Sequence, residues 1–580
     1  MFVIIRAVYA NVDHVLPQIT AFLCTKSYLP IELSGYQIIP TSRNHSIGTY
    51  KNTFQSRVAL VRHYWLRVFG RKLRHPPAPR SLPFIGNILS IPSGLDYLGY
   101  FELGKRLGSD IIYMDMMGKP AIVLNTAQAA SDLFEKRSAI YSDRRSASMV
   151  KSASLCVQGH LALSIATSRR LILLPVRLDW PGFIPSLAYS DQWRRQRRRM
   201  NNWLNMRAVR QFDGIQQEAV RRLLGCLLET PESPAPFKLV KHQFSFAMAY
   251  ATFKLAYGYR LKGDQDPFFL DAIEATDNVF CAMMKSNFFV NAFPILEYVP
   301  GWLPGAGWKE TARKWREQKN HAVAAPYEWT KRQVASGDFE PSVLSALLQD
   351  DPAGLGISTE EREQELKELA YILFAAGTDT SATALVNFVA AMVIKPEVQA
   401  KAQAEVDSVL GNVVRLPTIA DRSQMPYVGN LIQEVMRWHP VAPTGGDPHV
   451  CFQDDVYQGY DIQKGTMMGM TRDESVYEDP EDFNPDRFLD PNVPVAPGFG
   501  WGRRICPGLH FAEASLFLSI ASLLATYNFS RKKDKNGKEI IPIVEGAVNS
   551  LTVPIKPFDF EIRPRSEKHR ALIIENIPKE

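Results

Sequence analysis

One cysteine of the six in this chain stands in a setting that does chemistry. Phe499-Gly500-Trp501-Gly502-Arg503-Arg504-Ile505-Cys506-Pro507-Gly508 brackets Cys506 with glycines. Beyond it Leu509, Ala512, Leu516, Ile520, Leu523 and Leu524 recur at helical spacing, so the cysteine precedes a helix N-terminus. The positive end of a helix and a nearby guanidinium favour thiolate over thiol, and the thiolate is the form that binds a metal. Gly502 and Gly508 remove side chains where a flat macrocycle would lie against backbone. A second group is Ala376-Gly377-Thr378-Asp379-Thr380-Ser381, set inside the apolar run from Leu369 to Ile394. By hydropathy that run could span a membrane, but Asp379 near its middle makes spanning costly. Gly377 costs about 1 kcal/mol relative to alanine in a helix interior, so it too calls for a reason.

The cysteine segment fits Phe-x-x-Gly-x-Arg-x-Cys-x-Gly, and with three further motifs in order it resembles the haem-thiolate monooxygenases, the cytochrome P450 family, over roughly residues 75–565. The resemblance implies haem b with Cys506 as axial ligand, framed by Phe499, Gly502 and Gly508, and Arg504 paired with a propionate. It implies that Gly377 leaves room beside O2, that Thr380 relays protons through an ordered water, and that Asp379 connects to solvent. Glu434 and Arg437, three apart on one helix face, would form a buried ion triad with Arg487 of Pro485-Asp486-Arg487-Phe488, where Asp486 replaces the usual glutamate. In Trp193-Arg194-Arg195-Gln196-Arg197-Arg198, Trp193 and Arg197 share a face that would meet a propionate. Arg194, Arg195 and Arg198 would then point to a proximal surface where an acidic reductase docks. His449 is a second propionate candidate.

Long helical periodicities after residue 94 predict a mainly α fold with small β-sheets, the cytochrome P450 fold of a long central helix over haem with the cysteine loop beneath. Strand-like stretches fall at Ile111–Met114, Ala121–Leu124, Tyr457–Ile462 and Phe558–Ile562. The organisation read from the chain is an N-terminal extension at 1–74, a proline-rich hinge at 75–93, a catalytic domain at 94–566 and a tail at 567–580. No spanning helix is evident at the N-terminus. Phe54, Val58, Val61, Trp65 and Val68, with interleaved arginines, instead form an amphipathic face suited to a lipid headgroup region.

The net charge of +7 fits a basic face for an acidic partner, while no nucleic-acid motif appears. Cysteines without paired spacings exclude a zinc site or disulfide scaffold and fit a reducing compartment. Two stretches depart from the family. Leu155 to Leu178 is apolar and basic where close members have a shorter loop, and Gly465 to Asp473 lacks an Asn-x-Trp segment. Retained and skipped coding sequence would account for both. The expected function is NADPH-driven monooxygenation of a lipophilic small molecule with O2, with electrons delivered by a reductase at the cytosolic face of the endoplasmic reticulum membrane. Fungal secondary-metabolism members are the nearest in look. The rivals are a reductase-independent peroxygenase or isomerase and a non-catalytic or misfolded haem-binding pseudoenzyme.

Overall fold

The chain divides into two units, Met1–Lys72 and Leu73–Glu580. The computed structural model describes the second, from residue 73 to 579, except 84, 93, 117, 151–177, 181, 233–234, 285–286, 293–295, 298, 303–304, 412, 471–472, 474–475 and 548–549. The amphipathic stretch at 54–69 and nearly all of the apolar-basic stretch at 155–178 lie outside the described residues.

Helices of seven residues or more run in the order α1 (Asp96–Leu107), α2 (Asp191–Leu204), α3 (Asp213–Cys226), α4 (Pro236–Tyr257), α5 (Pro267–Met283) and α6 (Trp308–Ser336). They continue with α7 (Val343–Gln349), α8 (Thr359–Ile394), α9 (Pro396–Leu410), α10 (Pro426–Trp438), α11 (Leu509–Thr526) and α12 (Glu567–Asn576). The helix around Asp379 starts ten residues before the apolar run. Ser358 caps it by accepting from the Glu361 amide at 3.1 Å, and Glu360 and Glu361 sit at its positive end. At 36 residues, α8 is about 54 Å long. Among the described residues α8 and α11 are long and apolar enough to cross a membrane, yet each is mostly buried inside the protein. They are core helices.

Two hydrophobic cores meet along α8. Leu366 to Ala375 packs into one, with α4, α5 and α6, and Ala382 to Val393 into the other, with α9, α10 and α11. The polar stretch Ala376–Ser381 therefore falls at the seam between the cores, where a helix can present polar groups without spoiling either.

A five-stranded sheet has the order β1 (Ile111–Met116), β2 (Lys119–Leu124), β7 (Met467–Met470), β4 (His449–Val450) and β3 (Asp143–Arg144). Its β2–β7 pair is parallel and the others antiparallel. In the last pair Arg144 lies opposite His449. The stretch Tyr457–Ile462, read as one strand, is a hairpin of β5 (Asp455–Tyr457) and β6 (Tyr460–Ile462). Gln458 and Gly459 both take positive φ, as a tight two-residue turn requires, and a glutamine there hid the turn. Strands β8 (Tyr527–Arg531) and β9 (Phe560–Pro564) form the third sheet. The final residues, read as a tail, carry α12, which buries Ile573 against the second core.

Candidate active site

Cys506 lies two residues before Gly508, which precedes the first turn of α11. Its amide donates to the Phe499 carbonyl at 2.9 Å, closing the loop. The amides of Gly508 and Leu509 and the guanidinium of Arg197 favour the thiolate, as the sequence suggests, but burial is the larger effect and pushes the thiol up. Helix and guanidinium alone do not ionise this sulfur. Among the described residues no three of His, Cys, Asp and Glu converge as a metal site, so a metal on Cys506 must bring its other ligands with it. That is the donor set of a macrocycle with one axial thiolate.

The two glycines of the loop have different reasons. A Cβ on Gly502 would sit 2.1 Å from the Phe134 carbonyl oxygen, and its φ is +54°. Protein, not a macrocycle, crowds that position, and the sequence expectation is corrected there. A Cβ on Gly508 would meet only Cys506 Sγ, at 3.8 Å, so this glycine keeps one side of the sulfur clear.

Beside the loop is a cluster of guanidinium groups. Trp193 is buried on α2, with the Arg504 guanidinium 4.4 Å and that of Arg197 5.7 Å from its ring. Arg504 donates to the carbonyls of Ser142 and Leu187, both at 2.8 Å. Burial first, then Arg144, pulls its pKa down to about 9. Arg197 has no hydrogen-bond or ion-pair partner among the described residues. The fourth cation, Arg144, escaped the sequence reading. Its Nε and Nη1 are buried without a partner, and burial lowers its pKa to about 10. An orphaned buried guanidinium costs several kcal/mol unless an anion meets it. Only Asp143 and Asp447 act on Arg504 against two arginines. Three guanidiniums converging with so little carboxylate fit the two propionates of a haem.

His449 stands differently from its expected role. Its Nδ1 donates to the Tyr141 carbonyl at 2.7 Å and its Nε2 accepts from Arg144 Nη2 at 3.2 Å. Burial, with Arg144 next, holds its pKa well below the usual value, and the ring stacks on Phe134 at 4.1 Å. It is a neutral imidazole that holds Arg144, and it has no N–H left to offer a propionate.

Arg195 is also corrected. It does not face a docking surface but donates to Glu365 and Glu361 of α8, at 2.5 and 2.7 Å. Below it Arg199 is fully buried between Glu365 at 2.5 Å and Asp351 at 2.7 Å. Burial pushes the Asp351 carboxyl up, but Arg199 and Arg362 together hold it below its ordinary value. This network binds α2, and with it Trp193 and Arg197, to α8. Arg194, Arg198 and Arg503 remain exposed, with Arg194 and Arg503 flanking the Tyr189 ring.

Along α8, Ala376 is exposed, and Gly377, Asp379 and Thr380 partly so, although the helix on either side is buried. Thr380 Oγ1 donates to the Ala376 carbonyl at 2.5 Å. Burial raises Asp379, against an opposing pull from Thr552, whose hydroxyl donates to its Oδ2 at 2.6 Å. Gly377 is explained by α4. A Cβ there would stand 2.8 Å from Thr252 Cγ2, so close helix packing gives this glycine a reason of its own.

Glu434 is wholly buried and binds Arg437 at 2.6 and 2.8 Å and Arg487 at 3.1 Å. The two arginines also donate to the Asp482 carbonyl, at 3.0 and 3.1 Å, which ties α10 to the segment leading into the cysteine loop. Asp486 pairs at the surface with Lys401, so its replacement of glutamate leaves the triad untouched.

The cytochrome P450 family profile matches residues 164–561. Cytochrome P450 monooxygenase 98 of Postia placenta is 34% identical over 87% of this chain and 93% of its own length. Cytochrome P450 monooxygenase COX1 of Coprinopsis cinerea is 33% identical over 87% and 94%. Tryptamine 4-monooxygenase of Psilocybe cyanescens is 32% identical over 86% and 94%. With a single thiol donor, its guanidinium cradle and likeness along nearly the whole of these relatives, the chain belongs to the cytochrome P450 family, haem-thiolate oxidoreductases of the monooxygenase type.

Proposed function

We propose that this chain hydroxylates a lipophilic small molecule: substrate–H, O2, NADPH and H+ yield substrate–OH, H2O and NADP+. The observation that carries this reading is the pairing of one half-buried thiol donor with partnerless guanidinium nitrogens on Arg144 and a raised carboxyl on α8. Haem b, held through the Cys506 thiolate, would supply the iron chemistry that activates oxygen. Arg144, Arg197 and Arg504 would hold its propionates around Trp193, with His449 orienting Arg144. Phe499 and Gly508 keep the cysteine loop closed and the sulfur clear.

Asp379 and Thr380 handle protons. A carboxyl raised by burial holds its proton closer to neutral pH than an exposed aspartate does, which suits a donor. The Thr380 hydroxyl, tethered to the Ala376 carbonyl, passes that proton on through an ordered water. Substrate enters a cavity of about 180 Å3 lined by Met114, Met116, Met283, Met284, Met467 and Met470. Flexible, polarisable methionines adapt to irregular apolar shapes, so the cavity favours lipophilic compounds.

Electrons come from NADPH through a reductase docked on Arg194, Arg198 and Arg503, exposed cations on α2 and the cysteine loop. The site of action is the cytosolic face of the endoplasmic reticulum membrane, approached through residues 54–74 and the exposed Phe289 and Trp302. The test is a reductase-supported reaction on a compound library with product analysis by mass spectrometry. Products one oxygen heavier that require both NADPH and reductase are expected. Oxidation driven by peroxide alone, or a protein without the red-shifted carbonyl band, would overturn the reading.

A further inference from the structure

Residues 546–547 and 550–555 lie beside the polar stretch of α8. Gly546 bridges Ile555, the Val553 amide donates to the Val441 carbonyl at 2.9 Å, and Leu551 lines the cavity. Between the two anchors Thr552 is buried and donates to Asp379 Oδ2 at 2.6 Å. The groups that act on Asp379 come from three elements. Lys241 on α4 and Thr552 both favour its charged form, and Asp277 on α5 is close enough to feel its charge. Burial, and then that charge, raises Asp277 to about 6. Asp379 is thus a half-buried acid whose hydrogen-bond donor is the buried side chain next to the cavity-lining Leu551.

We infer that Thr552 is a positioning residue for proton delivery: its hydroxyl fixes one oxygen of Asp379 so that the other serves Thr380. The inference rests on the proton path proposed above. A hydroxyl bonded to a buried carboxylate stabilises the charged form and restrains its rotation, so losing it leaves the acid protonated to higher pH and misdirected. Nothing in the sequence joins two residues 173 positions apart.

The test uses Thr552→Val, which keeps the shape and loses the hydroxyl, and Thr552→Ser, which keeps the hydroxyl. In the full-chain holoenzyme, infrared difference titration follows the protonated carboxyl band that Asp379→Asn removes. Its midpoint should rise by about one pH unit in Thr552→Val and return in Thr552→Ser. The yield of product per NADPH should fall several-fold in the valine variant and recover in the serine variant, with the carbonyl spectrum of both unchanged. A midpoint that does not move in Thr552→Val overturns the inference. Equal changes in both variants assign Thr552 to packing and overturn it as well. A wild type that oxidises no compound defeats the monooxygenase reading alone, because the infrared midpoint still decides the role of Thr552.

Discussion

At the scale of single residues, the site is a problem of uncompensated charge. Cys506 is half-buried beside Arg197, and the guanidiniums of Arg144 and Arg197 have given up water. Cys506→Ser should abolish the red-shifted carbonyl band, whereas serine at Cys226, Cys281 or Cys451 should leave it. Those three thiols are free and raised by burial. Arg144→Met should lower haem retention, measured as haem per polypeptide after gel filtration, because a propionate would then lose a donor with two buried, unengaged nitrogens. The same change leaves His449 without the partner of its Nε2. Thr380→Ala should leave carbonyl and substrate-induced spectra near wild type while electrons emerge as peroxide. Positioned proton transfer contributes about 10²–10⁴-fold where chemistry limits the rate, so the ratio of product to NADPH should collapse.

At the scale of elements, the site depends on how α2, α8 and α10 are pinned. The basic character of α2 is largely internal. Arg195 and Arg199 are engaged by Glu365, and Arg199 also by Asp351, so Arg195, one of the three arginines read as a docking face, belongs to an internal clamp. Removing one partner of a buried ion network costs about 3–5 kcal/mol, because the remaining charges stay desolvated. Arg199→Met should therefore lower the denaturation midpoint in urea by that order of stability. Arg194→Met, whose guanidinium pairs with Asp191 at the surface, should change it little. If the two variants are equally stable, the clamp does not hold α2. The Glu434 triad plays the equivalent part for the segment before the cysteine loop.

At the scale of the whole molecule, Leu73–Glu580 is a unit in its own right. Among the described residues, its two helices long and apolar enough to cross a membrane are mostly buried in its own cores. Membrane association in the proposed function must then rest on residues before 73 and on exposed apolar side chains such as Trp302, which is 81% exposed. A chain beginning at Leu73 should bind haem with an intact carbonyl spectrum and partition less into membranes than the full chain. Retention of the shortened chain after salt and carbonate washing would contradict this.

Motifs of local spacing were legible without coordinates. The cysteine loop, the Glu434–Arg437 pair and the acid–threonine stretch each span ten residues or fewer, and helical periodicity places their partners on one face. The helical class and the long helix were readable for the same reason. What only the tertiary structure decided involves residues far apart in the chain. Arg144 enters the cradle because β3 pairs with β4 across 305 positions, and a two-residue strand has no pattern to announce it. Gly377 and Gly502 owe their smallness to Thr252 and to the Phe134 carbonyl, neighbours set by packing. Arg195 turns inward because the carboxylates of α8 pass beneath it. Sequence spacing records which groups share a face; burial and the charges on the facing element determine what each group then does.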